Sequence, residues 1–257
     1  MKKLWMVGLL CVMFLFGCGN SNLDINKQSK QLNTYQMDLT YTEEHMLNGN
    51  ETLTYTNRTD TTLSFLCFHL YPKAFSEGAV NKPVSTLNEK KAYPNGFSAG
   101  DIVINFAKVN GVDATFEYSG TDNNILKLFL GFDLEPLDKV TVLIDFTVQV
   151  PNVNHRFGYG ENTVNLANFY PIVAVFENGE FILDPYNSNG DPFYSDMSNY
   201  EVKLTVPTEF VVSSTGEQTS AVKEESISTY YLNAKTVRDF AIVLSTKFKF
   251  SCALSSL

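Results

Sequence analysis

The stretch KVTVLIDFTVQV, Lys139 to Val150, settles the kind of fold this chain adopts. Val140, Val142, Ile144, Phe146 and Val148 occupy every second position, with Thr141, Leu143, Asp145, Thr147 and Gln149 between them. A period of two sends successive side chains to opposite faces of a strand, so one face is buried and the other mostly wet. Working outward, ETLTYTN (Glu51 to Asn57), TLSFLCFHL (Thr62 to Leu70), DIVINFAKV (Asp101 to Val109), NILKLFL (Asn124 to Leu130) and NYEVKLTV (Asn199 to Val206) share its β-branched and aromatic character. No long stretch has helical periodicity. Asn48-Gly49, Asn110-Gly111 and Asn178-Gly179 offer the positive φ angles of tight hairpins, which makes antiparallel pairing the expectation. Tyr71 to Gly100 is long for a connection inside a compact domain, and a short helix is expected in it around Ser85 to Lys91. The sequence thus predicts an all-β fold, an antiparallel sandwich or saddle-shaped set of sheets.

The amino terminus reads as a signal peptide over residues 1–17: two lysines, then an apolar run from Leu4 to Phe16. About a dozen apolar residues fall short of the roughly 20 a spanning helix needs. Leu15, Phe16 and Gly17 directly before Cys18 resemble a bacterial lipobox, with Phe16 an imperfect fit. The expectation is a lipid-bearing Cys18 at the start of the mature chain, and an extracytoplasmic protein anchored to the bacterial cell membrane. Residues 18–32, rich in Ser, Asn, Gln and Lys, read as a flexible tether.

Charge excludes one class of partner. The chain carries 19 Lys and Arg against 28 Asp and Glu, a net charge of -9, and loss of residues 1–17 would remove two of the lysines. A nucleic-acid binder needs a basic stripe to displace phosphate counterions, and none is present. Beyond the leader and the tether only Cys67 and Cys252 remain, so this is no disulfide scaffold; an oxidising compartment would permit one bridge between them, and two free thiols are the expectation.

The chemistry-bearing residues are few. His45, His69 and His155 are scattered, and none belongs to an HExxH pair that would present two imidazoles to a metal. Cys67 and His69 share a strand face, which reads as a packed thiol and a hydrogen-bonded imidazole. No GxSxG elbow occurs. Asp184, Asp191 and Asp196 lie in a stretch that superficially echoes a calcium loop, but its spacing fails and turn-forming Asp and Asn residues explain it better. Pro207 and Gly216 read as a strand end and a turn, and Arg238 with Asp239 as a charged pair at a strand's start.

Taken in order, FHLYPKAF (Phe68 to Phe75), VPNVNHRFGYG (Val150 to Gly160), NFYPIVAVFENGEF (Asn168 to Phe181), GDPFYSDMSNYEVKLTVP (Gly190 to Pro207), VVSSTGE (Val211 to Glu217) and VRDFAIVLS (Val237 to Ser245) resemble the amino-terminal domain of aminopeptidase N-like zinc metallopeptidases. The likeness is closest to bacterial lipoprotein members and runs from about Asn33 to Lys249. It implies a β domain over residues 33–250, a divergent tail over 251–257, and a thermolysin-like catalytic domain that in the family follows in the same chain. The zinc helix, the further glutamate ligand and the amine-holding acidic residue belong to that later domain and are not in this sequence. The resemblance therefore implies no catalytic residue and no metal ligand here, zinc only in the full-length enzyme, and a role as one wall of a peptide cleft. Glu161, Asn165 and Asn168, before Tyr170-Pro171, are its substrate-contact candidates, with loop capping as the plainer role. SCALSSL fits the family pattern poorly, which suggests a truncation or frameshift. The competing expectation is a free-standing lipoprotein module for peptide, carbohydrate or a protein partner, with Phe157, Tyr159, Phe169, Tyr170, Phe193 and Tyr194 at its surface.

One consequence is testable without a structure. Cys18→Ser should release the protein from membranes in a fractionation experiment; unchanged membrane association would refute the lipid anchor.

Overall fold

The computed structural model describes residues 32–191 and 193–249; Cys18, the tether, Cys252 and the expected domain edges at 17/18 and 250/251 lie outside the described residues. The strands are β1 (Asn33–Tyr41), β2 (Met46–Thr56), β3 (Leu63–His69), β4 (Asp101–Val109), β5 (Val112–Asp113), β6 (Phe116–Ser119), β7 (Ile125–Leu134), β8 (Lys139–Gln149) and β9 (Phe157–Tyr159). They continue with β10 (Thr163–Leu166), β11 (Ile172–Val173), β12 (Phe176–Glu177), β13 (Glu180–Phe181), β14 (Ser198–Pro207), β15 (Val211–Ser214), β16 (Glu217–Lys223), β17 (Ile227–Val237) and β18 (Ile242–Ser245). The long connection carries a 3-10 turn at Tyr71–Phe75 and, where a short helix is expected, a 3-10 turn at Thr86–Asn88 running into one α-helical turn, Glu89–Ala92.

An eight-stranded sheet, ordered β16-β17-β14-β1-β2-β8-β4-β5, forms the body. Two four-stranded sheets, β15-β18-β10-β9 and β11-β3-β7-β6, and the hairpin β12-β13 complete the fold. In β8 the five alternate residues Val140 to Val148 are all buried, as the period of two requires. β1 and β14 alternate in the same way. The inward faces merge into one core that includes Tyr35, Leu39, Leu53, Phe68, Phe146, Phe157, Tyr170, Tyr200 and Phe240. β3 is buried on both faces. Leu66 and Phe68 point into the main core, while Cys67 joins Ile125 and Ala174 in a small second cluster against Phe65 and Phe181. That is why its sequence loses its alternation after Phe65.

Three expectations need correction. First, the pairing is not wholly antiparallel: β1 runs parallel to β14, from Asn33 opposite Ser198 to Thr40 opposite Thr205. Parallel neighbours cannot be joined by a hairpin, so the intervening chain acts as one long crossover, which alternation does not reveal. Second, Asn110-Gly111 and Asn178-Gly179 do turn with positive φ, but Asn48-Gly49 lies inside β2. Gly49 faces Phe146 across the β2–β8 ladder, and a Cβ there would enter the phenyl ring. The β1–β2 turn is made instead by Thr42 to His45, with His45 at φ 60°. Third, Arg238 and Asp239, expected as a charged pair at a strand's start, follow the end of a strand instead, and Arg238 is exposed. β17 ends at Val237, and what Arg238 supplies is its carbonyl, which accepts a hydrogen bond from Ser195 Oγ at 2.9 Å.

Pro207 closes β14, and Gly216 turns between β15 and β16 at φ 83°. A Cβ on Gly216 would collide with the backbone carbonyl of Asn233 and sit 2.7 Å from Ala234 Cβ, whereas Gly111, at the same φ, has open space. Gly111→Ala should therefore cost only the left-handed backbone penalty, about 1–2 kcal/mol, and Gly216→Ala clearly more. Equal losses in chemical denaturation would contradict this.

Candidate functional site

Residues 152–181 and 190–207, the two stretches richest in aromatic, Asn, Asp and Gly residues, are stitched together at two levels. On the outside, Arg156 Nη1 lies 3.4 Å from Asp191 Oδ1, and its guanidinium sits 4.9 Å from the centre of the Phe193 ring. Both charges are well exposed, so the ion pair contributes little, at most about 1 kcal/mol. The stronger hold is aromatic. Phe193 meets Tyr71 and Tyr186 edge-on at 4.6 and 5.5 Å, and Phe75 meets Phe157 at 5.0 Å and Tyr186 at 6.0 Å. Deeper, Tyr170 Oη donates to Tyr200 Oη at 3.0 Å, and Tyr200 stacks on Tyr35 with centroids 5.0 Å apart. The hydroxyls of Tyr35 and Tyr170 accept the backbone N–H groups of Val173 and Phe240.

Above this cluster two open clefts lie side by side. One of about 670 Å³ is walled by Asn81, Lys82, Asp184, Asn187, Asp191 and Tyr194, among others. The second, of about 340 Å³, takes in Lys91, Asn154 and His155, and the two share Ser188. The walls come from the long connection after the first 3-10 turn, from the loop before β9 and from the segment between β13 and β14. His155 Nδ1 is buried without a hydrogen-bond partner among the described residues. Burial, with Arg156 adding to it, lowers the pKa of this imidazole, so it is neutral at physiological pH. The clefts thus present amides, hydroxyls, carboxylates, two lysine ammonium groups and a neutral imidazole, groups that can hold a polar ligand.

The residues singled out in the sequence take different places. Glu161 is exposed in the turn between β9 and β10. Asn165, on β10, donates from Nδ2 to the carbonyl of His155 at 3.0 Å and so braces the loop that forms the smaller cleft. Asn168 sits at φ 53°, is 3% exposed, and leaves Nδ2 without a partner among the described residues. None of these three lines the two clefts, whereas Asp184, Asp191, Phe193, Tyr194 and His155, named in the sequence for other reasons, do. No pattern in the sequence pointed to Asn81, because the clefts are made by loops that only the fold brings together.

The imidazoles do not fit a zinc centre. His45 Nδ1 lies 2.6 Å from Tyr41 Oη, and its ring stacks on Tyr159 at 3.5 Å. His69 stacks on Tyr71 and bonds through Nε2 to the carbonyl of Ile182 at 3.1 Å; burial lowers its pKa to about 4. His155 lies edge-on to Phe75. Burial raises the Cys67 thiol to about 11, which keeps it protonated. Among the described residues no three His, Cys, Asp or Glu side chains gather as metal ligands. Two of the three aspartates of the calcium-like stretch pair with different arginines, Asp191 with Arg156 and Asp196 with Arg58 at 3.1 Å, and Asp184 lines the larger cleft. Of the six aromatic residues expected on the surface of a free-standing module, Phe157, Phe169 and Tyr170 are core, and Tyr159 packs on His45. Only Tyr194 is exposed, with its hydroxyl donating to Glu177.

Solved structures share this architecture. An M1 zinc metallopeptidase from Deinococcus radiodurans superposes with a TM-score of 0.51 at 14% identity, over 84% of this chain and 42% of that one. A variant of the Deinococcus radiodurans enzyme, bound to a Tyr-Ser-Ala substrate, gives 0.52 at 15% identity over the same shares. The shared property is the fold. The chain spans less than half the length of these relatives. No family model and no curated protein matches the sequence.

One buried group went unnoticed in the sequence. Glu51, on β2, is 0% exposed, and neither carboxyl oxygen has a hydrogen-bond partner among the described residues. Its place in the inward alternation Leu47, Gly49, Glu51, Leu53, Tyr55 was the available signal. Burial raises its pKa well above 4.5, so it is held as the neutral acid near Tyr35, Tyr170 and Tyr200. Below pH 4.5 both folded and unfolded chains carry the proton and nothing is lost. Above it the unfolded chain ionises while the folded one does not, and stability falls by up to about 1.4 kcal/mol per pH unit until the folded-state pKa is reached. Glu51→Gln removes this slope. Denaturation should find the variant similar to the parent at pH 4 and more stable at pH 7; parallel curves would refute a buried neutral Glu51.

Proposed function

We propose that this chain is the non-catalytic amino-terminal domain of a lipid-anchored zinc aminopeptidase, packing against a thermolysin-like catalytic domain and forming one wall of its peptide cleft. The observation that carries this reading is the fold match, which takes in 84% of this chain but only 42% of an M1 zinc metallopeptidase. The resemblance of six ordered sequence motifs points the same way. Zinc and its chemistry would belong to the catalytic domain, because the histidines here are separately committed to packing and hydrogen bonds.

In this reading the polar clefts around Asp184 to Tyr194 face the peptide path, and Glu161, Asn165 and Asn168 are the candidates for touching substrate or holding the loop that does. Leu183, Tyr194 and Met197, exposed by 40%, 39% and 49% along the same segment, suit a surface that another domain covers. Apolar groups left uncovered promote association. Cys18 supplies the membrane anchor.

The test uses the purified 257-residue chain. Elemental analysis should find no stoichiometric zinc, and an aminoacyl anilide should release no chromophore. Metal at one equivalent with chelator-sensitive turnover would overturn the proposal. In sedimentation, Met197→Lys should weaken concentration-dependent self-association of the chain; a strictly monomeric parent would argue against a surface built to be covered.

A further inference from the structure

The eight-stranded sheet has a second face, directed to solvent, with an ordered chemistry of its own. Strand register sets Tyr231, Lys203, Asp38, Asn50 and Asp145 side by side on β17, β14, β1, β2 and β8. The next row reads Asn233, Glu201, Gln36 and Thr52. Over these rows lies an open groove of about 420 Å³.

The carboxylates of these rows are held by one ion pair and by side-chain amides. Lys203 Nζ lies 2.9 Å from Asp38 Oδ2, and Gln36 Nε2 donates to Glu201 Oε2 at 2.9 Å. Asn105 Nδ2 donates to Asp145 Oδ1 at 2.8 Å at the far end of the first row. These contacts fix planar amide and carboxylate groups in place while leaving lone pairs and N–H groups free, which lowers the ordering cost of binding. At the β17 end the Tyr231 ring is 40% exposed.

Such a surface selects among ligand classes. With Asp38 and Glu201 against the single Lys203, the groove carries a net charge of about -1, which repels a polyanion and offers a polycation only a weak field. A peptide is recognised through a sheet edge or apolar pockets, and this groove crosses the middle of strands whose backbone groups are already paired. What fits is a molecule with a flat C–H face and many vicinal hydroxyls, in which the first rests on an aromatic ring and the second meet planar side chains. We propose that the open face of the eight-stranded sheet binds a neutral oligosaccharide, with Tyr231 as the stacking platform and Asp38, Asn50, Glu201 and Asn233 as hydroxyl partners. From β17 to β2 the groove covers three strand spacings, about 14 Å, room for a short chain of sugars rather than one.

The test is calorimetry of the full chain against hexasaccharides of glucose, N-acetylglucosamine and mannose. At least one should bind. Tyr231→Ala should weaken that binding about tenfold, and Tyr231→Phe, which keeps the ring, by no more than about twofold. Because Tyr231 points away from the core, circular dichroism should find both variants folded; should Tyr231→Ala misfold, Asn50→Ala carries the same expectation of weakened binding. No heat with any of the three at millimolar concentration, or undiminished binding by the alanine variants, would overturn the proposal. The readout involves neither zinc nor peptide, so this inference and the peptidase reading stand or fall separately.

Discussion

The parallel pairing of β1 with β14 is the constraint on which the rest of this structure depends. It joins residues some 165 positions apart, as the 2.9 Å contacts of Gln36 with Glu201 and Asp38 with Lys203 mark on its outer face. On the inner face it sets Tyr35 opposite Tyr200. Those two rings stack, Tyr170 meets both edge-on, and each such contact adds about 0.5–1.5 kcal/mol beyond the burial of its surface. The hydroxyls then hold backbone N–H groups of Val173 and Phe240, two segments that belong to no strand of the large sheet. A single pair of neighbouring strands thereby anchors the smaller sheets.

That anchoring positions the candidate site. The polar clefts are built almost wholly from connections, which carry little regular structure to hold them. Their rigidity comes from below, through Tyr71, Phe75, Tyr186 and Phe193. Aromatic packing resists salt and water, whereas the exposed Arg156–Asp191 pair above it is screened. The arrangement lets the cleft present many polar atoms to solvent without giving up its shape.

Glu51 shows the opposite balance. A neutral carboxyl with no hydrogen-bond partner destabilises a core, by about 1–3 kcal/mol on general grounds. It sits on the strand beside β1, within electrostatic reach of the three tyrosines that secure the fold. The aromatic cluster that secures the fold therefore also contains a group that makes stability depend on pH.

The fold class was legible in residues 139–150 because burial on one face of a strand imposes a period of two, a local property. So were the strands 51–57, 62–70, 101–109 and 199–206, the turns at Asn110-Gly111 and Asn178-Gly179, and the short helix near Ser85. Local rules failed where the cause lay far away in the chain. Asn48-Gly49 has the letters of a hairpin turn, yet Phe146, almost a hundred residues on, needs the space above Gly49. The candidates Glu161, Asn165 and Asn168 were named for their place in a stretch, but only tertiary structure decides that one is exposed, one braces the loop of His155, and one is buried. In β1, β8 and β14 alternation told which face is wet. Which strands lie side by side, and hence which loops share a cleft and which side chains share a row, is decided by long-range pairing and packing that no local pattern encodes.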